Sequence, residues 1–282
     1  MLTQLERYKK TIDYIHLNFK EKVDIDRIEK VSYYSYRNIN RIFLSLHQET
    51  IGKYTKRIRL EKAAEYIKYS DTQLYDIALE VGFNDLAAFS KAFKKKFGCS
   101  PNAFRQSTQQ LNKLKHQSLQ ENKELIEYEI ETLPSFKMLF LEHRGSYENL
   151  AAIEKTWETL LEYCEQNHLL SDRTVYFSES LDDNEISDDI HCRINVAITL
   201  DKENFEPEGL FQIKNHAPQK YAKFQHIGPS NTLEDTYNLI YASWLTDIQL
   251  EFVDKPTLEF YVNHEPSIPP TQFLTEIYIP IL

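Results

Sequence analysis

Two groups of side chains in this sequence have types and spacings that could do chemistry. The first is basic and amide-bearing: Arg37, Asn40 and Arg41 follow Tyr36 at helical spacing, and Ser90, Lys91, Lys94 and Lys95 follow the small residues Ala87 and Ala88. A guanidinium can pair bidentately with guanine and a carboxamide with adenine, while an ammonium neutralises phosphate without reading sequence. Alanine methyls can pack on thymine methyls, and small side chains allow close approach. The second group centres on Glu276, which alternates with Tyr278 and Pro280 against Ile277, Ile279 and Ile281. Successive side chains of a strand take opposite faces, so one face carries a carboxylate beside aromatics. A buried anion is costly, and an aromatic-lined cleft around it would suit a small lipophilic cation, through charge pairing and cation–π contact. Tyr147, Phe224, Trp244, Tyr261 and Tyr278 are candidate walls, although packing in an ordinary core would explain any one of them.

Other chemistry is poorly supported. His143 and His226 each stand two residues before a glycine, where a turn-stabilising hydrogen bond explains them better than catalysis, and Glu276 has no nucleophile or triad beside it. Cys99, Cys164 and Cys192 are too few and too scattered for a zinc site or a disulfide framework. The acidic run "ESLDDNEISDDIH" (179–191) lacks the ordered spacing of a calcium loop and reads as a solvated loop. No catalytic residue, metal or cofactor is expected.

The elements that must position these groups fall into two parts. The formal charge of −10 over 282 residues divides into +7 for residues 1–110 and −17 for residues 111–282. That split suggests a polyanion-binding module joined to a domain that must not bind polyanions. Neither a run long enough to span a bilayer nor an apolar leader at "MLTQLERYKK" is present, so no membrane partner is expected and the cytoplasm is the default location.

Residues 1–106 read as short helices, since apolar residues recur at three and four spacing. After the N-cap Ser35, Ile39, Ile42, Phe43 and Leu46 form one face and Arg37, Asn40 and Arg41 the other. A second unit repeats the plan: Ile77, Ala78 and Val81, then Gly82 in a turn, Asp85 as cap, and a stripe of Phe89, Phe93 and Phe97 with Leu86 at its edge. "IGKYTKRIRLEKAAEYIKY" is a long central helix joining them. Helix, tight turn and capped second helix with a basic face is the helix-turn-helix plan, present here twice.

This arrangement resembles the AraC family of bacterial transcription regulators, on the residues "RIRLEKAAEYI" (57–67), "YDIALEVGFNDLAAFSKAFKKKFGCSP" (75–101) and "NAFR" (102–105). The resemblance implies a seven-helix domain that places two recognition helices in successive major-groove segments, roughly 34 Å apart, on double-stranded DNA. RNA polymerase is a further partner that such a role admits. Glu29 and Tyr33 stand where the family usually has Ala and Gly in the first turn, which leaves the second unit the better match in geometry. The first helix, with its arginines, is expected to read more sequence than the second, whose lysines hold phosphates.

The polar stretch 107–124 is the expected joint, and from Leu125 the pattern changes to strands. "LIEYEIETL", "FKMLFLEHRG", "CRINVAITL", "YAKFQHIG", "TLEFYVNH" and "TEIYIPIL" alternate as strands, with helices near 148–167 and 230–245. An internal repeat sets His143 over His226 and Gly145 over Gly228, 83 residues apart. The fold expected is therefore an all-α double helix-turn-helix domain (1–106) followed by an α+β domain (125–282) of two pseudo-repeated strand–helix units with a cleft between them.

The second domain resembles the GyrI-like effector-binding domain found in multidrug-responsive regulators, on "LPSFKMLFLEHRGSY" (133–147), "CRINVAI" (192–198), "YAKFQHIGP" (221–229), "YASWL" (241–245), "PTLEFY" (256–261) and "TEIYIPI" (275–281). That resemblance implies a small organic ligand and aligns Glu276 with the glutamate that meets it. Ile194-Asn195 replaces the usual Tyr-Asp, changing a polar part of the implied pocket. Two alternatives stand beside ligand sensing: a small-molecule hydrolase with Glu276 as its base, as in some relatives, and a ligand-free scaffold.

Overall fold

A computed structural model gives the structure of the chain and describes residues 3–110, 126–184, 186–188, 191–202, 204–244, 248 and 250–282. It divides into two compact units, Met1–Leu111 and Asn112–Leu282. Of the joint expected over 107–124, residues 107–110 are helical and 111–124 lie outside the described residues.

The first unit is helical throughout: α1 (Gln4–Leu17), α2 (Ile25–Ser32), α3 (Tyr36–His47), α4 (Ile51–Tyr69), α5 (Leu74–Glu80), α6 (Leu86–Phe97) and α7 over residues 101–110. Thr3, Asp24, Ser35, Thr50 and Asp85 cap five of these helices, each side-chain oxygen accepting an N–H that the helix cannot satisfy itself. Ile12, Ile15, Ile28, Ile39, Phe43, Ile51 and Tyr54 form a core about α1 to α4. Around α6, Phe83, Phe89, Phe93, Phe97 and Phe104 form a chain of ring contacts with centroids 4.5–5.6 Å apart, within the range of favourable aromatic packing.

Both turns are built, by different means. Gly82 has φ 83°, and a Cβ there would lie 2.1 Å from the Lys20 carbonyl oxygen, so only glycine fits. Tyr33 takes φ 56° without being glycine. Its N–H donates to the Glu29 carbonyl (2.9 Å), and the Glu29 carboxylate accepts from the Tyr36 N–H (2.6 Å). The two residues that depart from the family pattern thus close the first turn together. Two apolar expectations need correction: Leu46 is 60% and Leu86 37% exposed. The buried stripe of α6 begins at Phe89, one turn inside the cap, and that of α3 consists of Ile39 and Phe43.

The second unit contains β1 (Glu129–Leu133), β2 (Phe136–Arg144), α8 (Leu150–Gln166), β3 (Tyr176–Ser180), β4 (Arg193–Thr199), β5 (Gln212–His216), β6 (Gln219–Ile227), α9 (Leu233–Trp244), β7 (Thr257–Tyr261) and β8 (Leu274–Pro280). The strands form one sheet in the order β1-β6-β8-β7-β3-β4-β2-β5, every neighbouring pair antiparallel. Strands β3 and β5 were not expected. Part of the acidic run is corrected by β3: Glu179 is 3% exposed, bonded by Asn195 (2.7 Å) and Lys214 (2.5 Å), and Arg193 clamps Asp182 through two bonds of 2.7 and 2.8 Å.

The repeat extends through the whole unit. β1 and β5, β2 and β6, and the starts of α8 and α9 are 83 residues apart, and β3 and β7, β4 and β8 are 81 apart. Each repeat's first strand bonds to the other repeat, β1 to β6 and β5 to β2. Only Pro134 and Ser135 join β1 to β2, first and seventh in the order. A flat sheet would separate those strands by about 29 Å, whereas three residue steps reach at most about 11 Å, so the sheet curls. Inside the curl lie Met138, Phe140, Phe177, Ala197, Tyr221, Leu258 and Tyr278. On the other face α8 covers Leu139, Leu141, Val196 and Ile198, and α9 covers Ala222, Phe224, Ile277 and Ile279.

Candidate nucleic-acid interface and ligand cleft

In the helical unit, Ser35 and Asp85 fix the starts of α3 and α6 by accepting from the Asn38 and Ala88 N–H groups. Beyond those caps Arg37 and Arg41 on α3, and Ala87, Ala88, Lys91, Lys94 and Lys95 on α6, are exposed, with Ser90 half-buried. Each helix therefore presents donors or small side chains outward, as groove contact requires. Asn40 is a correction. Its side-chain oxygen accepts the Ile51 N–H at 2.9 Å, capping the start of α4, so in this conformation it does not offer adenine a free carboxamide. Tyr36 is half-buried against the core of α1 to α4, which places it as a support for α3.

Of the six residues expected to hold a ligand, Glu276 and Tyr278 meet, the Tyr278 hydroxyl lying 3.4 Å from the Glu276 carboxylate, whereas Tyr147, Phe224 and Tyr261 lie elsewhere. Glu276 stands opposite Phe260 and Gln225 in register, on the face inside the curl, and its carboxylate lies 3.8 Å from Lys223, which also pairs with Glu129 (2.8 Å) and Glu131 (3.3 Å). The Tyr278 hydroxyl joins that cluster, donating to Glu131 at 3.0 Å. Tyr261 points to the opposite, helix-bearing face, because it alternates with Phe260. Phe224 is core beneath α9 at 1% exposure. The Tyr147 hydroxyl donates to the Arg193 carbonyl at 2.5 Å and pins the chain before α8. Trp244 ends α9, and its side chain lies outside the described residues.

A different constellation lies on the helix-bearing face, at the seam where β3 and β7 meet. Glu259 of β7 is 7% exposed. The Tyr237 hydroxyl, from α9, donates to its Oε1 at 2.8 Å, and Ser178 Oγ, from β3, donates to Oε2 at 3.3 Å. The Tyr261 hydroxyl lies 3.0 Å from Ser178 Oγ and 3.3 Å from Oε2. Trp157 of α8 meets the Tyr261 ring edge-on, centroids 5.6 Å apart. Among the described residues no lysine, arginine or histidine pairs with this carboxylate; its neighbours are three hydroxyls. Burial pushes the Glu259 carboxyl above its ordinary range, and the hydroxyls pull it back. Burial and the Glu259 charge hold the Tyr237 and Tyr261 phenols well above theirs, so both remain donors. Half-buried Trp157, Tyr237 and Tyr261 stand as walls around a buried anionic floor.

The two histidines hold the walls. His143 Nδ1 lies 3.0 Å from Thr156 Oγ1 on α8, and His226 Nδ1 lies 2.7 Å from Thr236 Oγ1 on α9. Because Thr156 already donates to the Ala152 carbonyl (2.9 Å), His143 Nδ1 carries the proton between them. Each histidine thus reaches a helix, and His226 also meets the turn that the sequence suggested, its Nε2 3.4 Å from the Pro229 carbonyl and 3.3 Å from Thr232 Oγ1. Gly145 and Gly228, at φ 150° and 149°, leave room for the rings, since a Cβ at either would lie 3.3 Å from the imidazole Nε2. Glu259 escaped the sequence reading although it shares a strand face with Tyr261. The available signal was a carboxylate between Leu258 and Phe260, on the same strand face as Tyr261, in "TLEFY".

Comparison with known proteins fits this architecture. Residues 126–282 match the family described as a GyrI-like small molecule binding domain, and residues 30–107 match a helix-turn-helix domain. The putative HTH-type transcriptional regulator YkgA of Escherichia coli K12 is 35% identical over 94 residues, which cover 33% of this chain and 39% of YkgA. The chain thus spans well under half of that relative. The probable transcription factor PqrA of Proteus vulgaris is 37% identical over 91 residues, covering 32% of this chain and 75% of PqrA. Among solved structures, the EcmrR–DNA complex in EcmrR-RPo aligns with 92% of this chain and 99% of its own, at 12% identity and a TM-score of 0.49.

Proposed function

The chain belongs to the AraC-type transcriptional regulators that carry a C-terminal GyrI-like small-molecule-binding domain, and from that membership we propose that it binds double-stranded DNA through α3 and α6 and senses a lipophilic organic cation between α8 and α9. The observation that carries the ligand reading is Glu259: a carboxylate 7% exposed, held by three hydroxyls with no cationic side chain paired to it among the described residues. Such a group is costly in the free protein. A ligand that brings a positive charge and an aromatic or aliphatic body removes that cost and gains cation–π contact with Trp157, Tyr237 and Tyr261. The ligand acts on transcription, with RNA polymerase as the machinery affected, only through different affinities for two states of the protein.

On DNA, Arg37 and Arg41 supply base reading, Ala87 and Ala88 admit α6 to the groove with Ser90 and Lys91 near base edges, and Lys94 and Lys95 neutralise phosphates. Calorimetric titration of the full chain with a tetraarylphosphonium or quaternary ammonium, beside an uncharged isostere, tests the ligand reading. The cation should bind, the isostere should not, and Glu259→Gln should remove the binding while Glu276→Gln keeps it. Equal binding of cation and isostere, or retention by Glu259→Gln, would overturn it.

A further inference from the structure

Among the described residues, Arg59 is the one side chain of α4 whose guanidinium reaches both the loop that leads into the first helix-turn-helix unit and the turn of the second. Its Nε donates to the Phe19 carbonyl (2.5 Å) and one Nη to the Glu21 carbonyl (2.5 Å), in the loop between α1 and α2. The other Nη donates to the Gly82 carbonyl (2.7 Å), in the turn that leads into α6. A planar fork with fixed donor directions holds three acceptors in one geometry, which a flexible ammonium cannot do.

The surroundings tighten the same joint. The Lys20 carbonyl sits where a Cβ of Gly82 would be, so the α1–α2 loop rests directly on the second turn. Lys20 pairs with Glu80 at the end of α5. Farther along, Glu61 of α4 binds Lys96 of α6 at 3.0 Å and Arg57 at 2.9 Å, and Arg57 in turn binds Glu49 at the end of the first unit at 2.9 Å. A single helix shared by two units could flex between them; here the loop leading into the first is bolted to the turn of the second.

We infer that Arg59 is a positioning residue that sets the spacing between the two DNA-reading helices, so that the protein accepts its two operator segments at one separation and rejects others. The inference rests on the reading above that α3 and α6 both enter DNA. One added base pair moves the second segment by about 3.4 Å and turns it by roughly a tenth of a helical turn, which a bolted pair of helices cannot follow. Neither Arg59 nor its three acceptors needs to touch DNA for this effect.

Duplexes selected from a random-sequence pool by the full-length protein provide the probe. Binding is measured to the selected duplex, to versions with either segment scrambled, and to versions with one base pair inserted or deleted between segments. The wild type should lose roughly tenfold on insertion or deletion, comparable to the cost of a mismatch. Arg59→Gln should bind single-segment duplexes within about twofold of wild type, bind the full duplex more weakly, and show an insertion penalty below about threefold. Arg59→Lys, which keeps the charge and stem, should fall between and decides the matter if Arg59→Gln does not fold. An undiminished insertion penalty in a folded variant overturns the inference. So does an equal loss on single- and double-segment DNA, or failure of both variants to fold, since either assigns Arg59 to stability alone. Selection of duplexes with only one specified segment would instead overturn the two-helix reading on which the inference rests.

Discussion

Ser178 and Glu259 stand directly opposite each other on the two central strands, in register on β3 and β7 and 3.3 Å apart from Oγ to Oε2. They are also equivalent positions of the two repeats, 81 residues apart, so the pair straddles the local two-fold axis of the domain. The carboxylate is therefore central to the domain, with Tyr237 of α9 bonded to it and Trp157 of α8 reached through Tyr261. The duplicated frame supplies the walls in pairs, and a single acid at its centre supplies the charge.

Replacing that acid should stabilise the free protein. The folded carboxyl is raised by burial, so between its ordinary value of 4.5 and its raised value the folded state holds more protons than the unfolded. Stability contributed by Glu259 is present at low pH and lost as pH rises through that window. Glu259→Gln should remove this slope and raise the thermal midpoint at pH 7 by roughly 2 °C or more, while abolishing cation binding. Scanning calorimetry between pH 4 and 8 checks it; a variant less stable than wild type at every pH would contradict the account.

Cation binding itself should strengthen with pH. Where Glu259 is protonated in the free protein, the cation must displace a proton, so affinity is weakest below the raised carboxyl value and levels off above it. Titrations in two buffers of different ionisation enthalpy should show net proton release on the acid side of that value and none well above it.

Glu276→Gln should be nearly silent. Its carboxylate is the most distant of the three around Lys223, at 3.8 Å against 2.8 Å for Glu129, and it lies on the opposite face of the sheet from Tyr261. The expected change is below about 0.5 kcal/mol in stability and within twofold in ligand affinity, measured by chemical denaturation and titration.

Why the sequence pointed to Glu276 rather than Glu259 is a matter of range. Alternation within β8 turned Ile277, Ile279 and Ile281 toward the helices and Glu276 and Tyr278 to the other face, as found, but it says nothing of what surrounds a carboxylate on β7. The partners that define Glu259 come from β3 and α9, at 81 and 22 residues' distance. The helices, the strands β1, β2, β4, β6, β7 and β8, and the His-x-Gly repeat were legible because periodicity and turn residues are local signals. β3 was hidden by Glu179, whose burial depends on Lys214 35 residues away, and β5, "QIKNH", is too short and polar to announce a strand.

The two turns of the helical unit should respond unequally to exchange of glycine. Tyr33→Gly relieves a left-handed backbone at φ 56° but loses the Arg7 guanidinium 5.5 Å from the ring centroid, so stability should change by less than about 1 kcal/mol. Gly82→Ala forces a Cβ against the Lys20 carbonyl and should cost about 3 kcal/mol or more. Urea denaturation of both variants measures the contrast.

Arginine and asparagine on α3 should also separate. Arg37→Ala and Arg41→Ala should each cost about 1–3 kcal/mol on the selected duplex and relax preference at particular base pairs. Asn40→Ala should instead cost about 1 kcal/mol of folding stability through the lost bond to the Ile51 N–H, with no change in base preference. Lys94→Ala and Lys95→Ala should weaken all duplexes alike and lower the salt slope by about one each. Equal, sequence-blind losses for the arginines would contradict this division.

The exchange of first strands between repeats has a mechanical outcome. To part the two halves of the domain, three seams must fail together: β3 with β7 at the middle, β1 with β6 at one rim and β5 with β2 at the other. The floor beneath Glu259 is stitched crosswise and resists splitting. The two helices above it are fastened at equivalent points of the repeat, His143 to Thr156 on α8 and His226 to Thr236 on α9.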